Sequence, residues 1–121
     1  MQWIINSQYI YNFIANKNTS NYILKIESNN VKIINNTFSG NCGNYIRVGD
    51  NNNITIENNL FDGTNSTTVS PVVLWNSKNN IITNNRFIDN SGFNIELIYC
   101  EDSSINNNNF INTFYNGNYI H

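Results

Sequence analysis

Three observations predict an all-β fold, a single-stranded parallel β-helix of about five coils with roughly 23–29 residues each. A segment ending Asn-Asn-x-Phe recurs four times, at residues 35–38, 58–61, 84–87 and 107–110. Its anchors Phe38, Phe61, Phe87 and Phe110 are spaced 23, 26 and 23 residues apart, a period at which internal repetition means stacked units. Around the anchors, isoleucine-rich stretches alternate apolar and polar residues with a period of two, and helical spacing is nowhere sustained.

Each unit reads as three short strands. The first runs from Tyr22 to Ile26, Tyr45 to Val48, Val72 to Trp75 and Ile95 to Tyr99, each copy followed within a few residues by Asp, Ser or Asn. The second holds the alternating pairs Val31-x-Ile33 and Ile54-x-Ile56, and the third centres on the anchor aromatic. Between the second and third lies the Asn-Asn pair, because asparagine tolerates the left-handed conformation of a tight corner. Stacking of these corners would place Asn36, Asn59, Asn85 and Asn108 about 4.8 Å apart, in reach of a structural amide ladder. Ile33, Ile56, Ile82 and Ile105 would form an aliphatic column inside, beside an aromatic column of Phe38, Phe61, Phe87 and Phe110.

The amino terminus supplies a fifth copy when Ile4-Ile5-Asn6-Ser7-Gln8-Tyr9 is laid on residues 33–38, with Tyr9 in the anchor position. Tyr119-Ile120-His121 reads as the start of a further coil. Residues 1–121 form one repeat domain on this reading, a segment of a longer solenoid. The terminal coils expose strand edges, which neighbouring coils, caps or self-association would protect.

Composition narrows the function. The net charge is −2, only 12% of residues are charged, and 31 of 121 residues are asparagine, so uncharged amides supply solubility. Four lysines and two scattered arginines lack the basic footprint of a nucleic-acid binder. No apolar run is long enough for membrane insertion, and the first residues carry no secretory signal. Cys42 and Cys100 lie at least two coils apart, beyond the ~4.4–6.8 Å Cα reach of a disulfide.

Length differences fall between each anchor and the next strand, and this edge carries the single proline and five of six glycines. Variable loops on a rigid scaffold are where binding resides. Phe93 and Tyr115 lie there, and Trp75 ends a first strand. If Lys25, Arg47, Leu74 and Glu96 project outward from successive first strands, they form one mixed stripe able to meet an anionic sugar.

The motif Asn-Asn-x-Ile-x-Asn-Asn-x-Phe resembles the right-handed parallel β-helix families of the pectin-lyase-like fold, particularly the Asn-rich repeats of NosD-like proteins and of surface proteins. That resemblance implies a right hand for the β-helix, an extracellular or cell-surface location and a structural or carbohydrate-binding, adhesin-like role. It also admits a fragment of a polysaccharide lyase, a hydrolase or a phage tailspike whose active coils lie elsewhere, since the fold alone does not set activity. No catalytic residues are assigned, because no carboxylates converge in the sequence as general acid-base chemistry needs. No cofactor or metal is expected: Met1, Cys42, Cys100 and His121 are too scattered to form a soft-metal site.

Overall fold

The computed structural model describes residues 3–5, 9–11, 14–16, 22–40, 43–63, 70–90, 92–113 and 118–120. In chain order the strands are β1 (Trp3–Ile5), β2 (Tyr9–Tyr11), β3 (Ile14–Asn16), β4 (Tyr22–Ile26), β5 (Lys32–Ile34), β6 (Thr37–Ser39), β7 (Asn44–Gly49) and β8 (Thr55–Glu57). They continue as β9 (Leu60–Asp62), β10 (Val72–Trp75), β11 (Ile81–Thr83), β12 (Arg86–Ile88), β13 (Ile95–Ile98), β14 (Ser104–Asn106), β15 (Asn109–Ile111) and β16 (Asn118–Ile120). Every third strand joins the same parallel sheet, giving one sheet of six strands that begins with β1 and two of five that begin with β2 and β3. Stepwise stacking of strand triplets is a parallel β-solenoid, and no helix occurs among the described residues.

Register puts like on like. Ile33, Ile56, Ile82 and Ile105 pair successively in the second sheet, and Phe38, Phe61, Phe87 and Phe110 in the third. The first three of each column are fully buried, while Ile105 and Phe110 are partly buried and pack against the same core. Successive rings stack at 5.2, 4.8 and 5.2 Å between centroids, with interplanar angles of 8°, 20° and 22°. Each such contact contributes about 0.5–1.5 kcal/mol beyond burial. Tyr45 flanks Phe38 and Phe61, and its hydroxyl lies 2.8 and 2.7 Å from the carbonyls of Gly40 and Asp62, donating to one at a time.

The first coil departs from the sequence expectation. Ile4 and Ile5 belong to the six-stranded sheet, paired with Lys25 and Ile26, not with Ile33. Tyr9 pairs with Lys32, Ile10 with Ile33, and the position of the anchor ring is held by Ala15 opposite Phe38. Matching Ile-Ile-Asn to the later motif follows side-chain likeness, whereas register follows main-chain pairing, and only the frame with Ile10 beside Ile33 keeps all three strands in order.

Beside the core runs a chain of buried amides. The Oδ1 of Asn59 accepts from both the backbone N–H and the Nδ2 of Asn36 (2.9 and 3.0 Å), and the pattern repeats from Asn59 to Asn85 and from Asn85 to Asn108. Each Nδ2 also donates to a carbonyl of the preceding coil, at Ile10, Ile33, Ile56 and Ile82 respectively. Asn36, Asn59 and Asn85 are nearly inaccessible to solvent, so this satisfaction is obligatory.

All thirteen non-glycine residues of positive φ among those described fall in four corner rows. One is Asn35, Asn58, Asn84 and Asn107; a second is Asn30, Asn53, Asn79 and Asp102. A third is Asp50, Asn76 and Tyr99, and the fourth continues Gly40 and Gly63 with Asp89 and Asn112. Asparagine, aspartate and glycine are the residues that visit this region at least cost. Tyr99 is the exception, at φ 52 and 79% exposed, in the row where Asn76 donates to Asp50 at 2.6 Å.

Three outcomes follow from these columns. Ile56→Asp places an unpaired carboxylate in the core and should abolish the cooperative melt and the β circular-dichroism signal, a loss of several kcal/mol. Asn59→Ala removes one rung and strands its buried partners on both sides, so urea unfolding should show a loss of about 2–4 kcal/mol. Tyr99→Asn relieves a side chain in the left-handed region and should raise the midpoint of thermal unfolding by roughly 4 °C, corresponding to about 1 kcal/mol.

Candidate functional surface

The outer face of the six-stranded sheet collects the polar and aromatic side chains that the core does not use. Strand alternation sends Leu24, Ile46, Val72 and Ile95 inward with Ile26, Val48, Leu74 and Leu97, all buried. The residues between them face outward, so Lys25, Arg47, Val73 and Glu96 form one row. Val73 thus takes the place expected of Leu74, because β10 keeps the period of two from Val72 and buries Leu74 between Val48 and Leu97.

The charges of this row are not equivalent. Lys25 is paired with Glu27 at 3.0 Å. Arg47 makes no ion pair among the described residues; its Nε and Nη2 donate to Asn44 Oδ1 at 3.1 and 2.9 Å, and its guanidinium lies 5.0 Å from the centroid of the Tyr22 ring. A cation held between an amide and a ring keeps its remaining N–H groups in a set direction. Glu96 accepts from Ser70 Oγ at 3.2 Å.

Trp75 occupies the neighbouring row, opposite Gly49 on one side and Ile98 on the other. Gly49 has no side chain because the indole lies across it: a Cβ there would overlap Cε2 and Cζ2 of Trp75. Gly49 is the glycine inside a described strand, and such a glycine signals close approach of another group. That signal was present in the sequence; its partner was not. The half-buried indole has no hydrogen-bond acceptor for its N–H among the described residues. Phe93 sits half-buried in the turn before β13, and Tyr115 lies outside the described residues.

Elsewhere the surface offers less chemistry. Lys78 and Glu101 pair at 2.8 Å, and the carboxylate raises the Lys78 ammonium above the ordinary lysine value by hydrogen bonding and charge. The sign makes this attraction present at neutral pH and lost only as alkali passes that raised value. Cys100 is a free thiol directed at the carbonyls of Leu74 and Ile98, and Cys42 lies outside the described residues. No three His, Cys, Asp or Glu side chains gather to hold a metal among the described residues. No helix of the described chain is long and apolar enough to cross a membrane.

No curated protein and no solved structure matches the chain significantly. The model of the right-handed beta helix region matches residues 3–121. That span covers every strand from β1 to β16, together with the four corner rows and the amide ladder, and the chain belongs to the right-handed β-helix family.

Proposed function

We propose that this chain is a structural, carbohydrate-binding β-helix segment of a cell-surface or extracellular, adhesin-like protein, and that glycan lies on the outer face of its six-stranded sheet. The observation that carries the reading is the indole of Trp75 held across Gly49. An aromatic ring laid along a rigid sheet suits the apolar face of a sugar ring, and its unpaired N–H offers a donor to a hydroxyl. Arg47 stands nearby, oriented by Asn44 and Tyr22 and without a carboxylate partner among the described residues, ready for an anionic substituent. Ser70 and Glu96 extend the polar border. The solenoid supplies rigidity: its side chains are locked by stacking from coil to coil, so little ordering cost remains at binding.

A panel of neutral and acidic polysaccharides tests this. Trp75→Ala should weaken binding about tenfold or more, and Gly49→Ala should do the same by displacing the indole, both without loss of the cooperative melt. Arg47→Gln should weaken acidic glycans alone. Absence of binding to every glycan by the folded chain would overturn the reading. Cleavage of a bound sugar would replace it with the fragment of a polysaccharide lyase or hydrolase. Surface labelling of intact cells against cytosolic extract checks the location.

A further inference from the structure

A concavity follows the corner between the second and third sheets. It is an open groove of about 380 Å³ lined by Asn35, Asn58 and Asn84, by Thr37 and Leu60, and by Arg86. None of these residues belongs to the outer face of the six-stranded sheet. The buried asparagines of the ladder form its back wall, so the groove floor is rigid.

The three exposed amides are unspent. Asn35, Asn58 and Asn84 sit at φ 59, 56 and 57, and their side chains make no hydrogen bond to the described protein, while the ladder side chains of Asn59 and Asn85 donate twice and accept twice. The left-handed backbone explains why the position is restricted, but glycine meets that demand without an amide. What remains is one donor and acceptor set per coil, repeated about every 4.8 Å along the axis. Leu60 supplies an apolar patch between Thr37 and Arg86, its partners in register. Arg86 is exposed and makes no ion pair among the described residues, and no carboxylate lines the groove.

We infer that this groove binds an extended, neutral β-1,4-linked glycan laid parallel to the solenoid axis, with one sugar per coil over three coils. The outer amides, Asn35 and Asn84, pair with vicinal hydroxyls, and Asn58 between them pairs with the hydroxymethyl edge of a ring that the β-1,4 link turns over. Leu60 meets a ring face, and Arg86 donates to an oxygen at one end. A peptide strand fits less well, because its side-chain repeat of about 6.6–6.8 Å falls out of step with the coil. The inference does not rest on the sheet-face reading, which concerns other residues.

The test is calorimetric titration of the whole chain with cellohexaose and, separately, with hexagalacturonate. Cellohexaose should bind one per chain, and Asn58→Gly with Asn84→Gly should weaken it about tenfold while preserving the left-handed corner and the thermal midpoint within a few degrees. Should that double variant melt early, Arg86→Gln, on the exposed rim, should still weaken binding about threefold. Tryptophan fluorescence should stay silent and Trp75→Ala should bind normally, since both tryptophans lie in strands of the six-stranded sheet. Unchanged affinity in both groove variants overturns the inference, and so does no binding of cellohexaose. Loss of binding in Trp75→Ala alone would also overturn it, leaving the sheet-face reading intact. Preference for hexagalacturonate that disappears in Arg86→Gln would make the groove an anion site and reject the neutral glycan.

Discussion

The amide ladder is the interaction on which the rest of the solenoid depends. A corner that turns the chain from one sheet to the next within two residues must bury main-chain N–H groups that no strand can pair. Asn59, Asn85 and Asn108 solve this with one side chain each: Oδ1 takes the previous coil's backbone and amide donors, and Nδ2 returns a bond to the previous coil's carbonyl. Aspartate could accept but not donate, and serine would reach too little. Because each rung is completed only by the next coil, the ladder couples neighbours directionally, and the stacked phenylalanines beside it are held in register. Stability is therefore a sum over interfaces between coils.

The abundance of asparagine has a second cause in the same geometry. A coil of three strands needs a reversal of backbone hand at several corners, and these recur at the same places in every turn. Where glycine stands, at Gly40 and Gly63, the requirement is met without a side chain. Where asparagine stands, the amide is left over, either spent on the next coil, as between Asn53 and Asn30 at 2.5 Å, or open to solvent, as at Asn58. A sequence poor in charge is thus given a surface of neutral hydrogen-bonding groups by its corners.

The rigid core also decides what the outer faces can do. Alternation within β7, β10 and β13 leaves no freedom in which side chains emerge, so Arg47, Val73 and Glu96 stand in line whatever their chemistry. Against that regular field, Gly49 is the irregular feature. It opens the space that the Trp75 indole fills, in the row beside an oriented guanidinium.

By itself the sequence determined the solenoid. A recurring Asn-Asn-x-Phe with alternating isoleucines leaves one arrangement in which every coil buries the same residues, so strands such as Tyr22–Ile26 and Val72–Trp75 and the inward columns of Ile56 and Phe61 were legible from spacing alone. The tertiary structure alone decided what depends on main-chain pairing between coils. It set Ile10 rather than Ile4 beside Ile33, put Val73 rather than Leu74 in the outer row, and gave the ladder its direction. It also laid Trp75 on Gly49, residues 26 apart in the chain and opposite one another across strands. Periodicity reports which residues are equivalent; hydrogen bonds between backbones decide which equivalent residues touch, and the surface chemistry follows from those contacts.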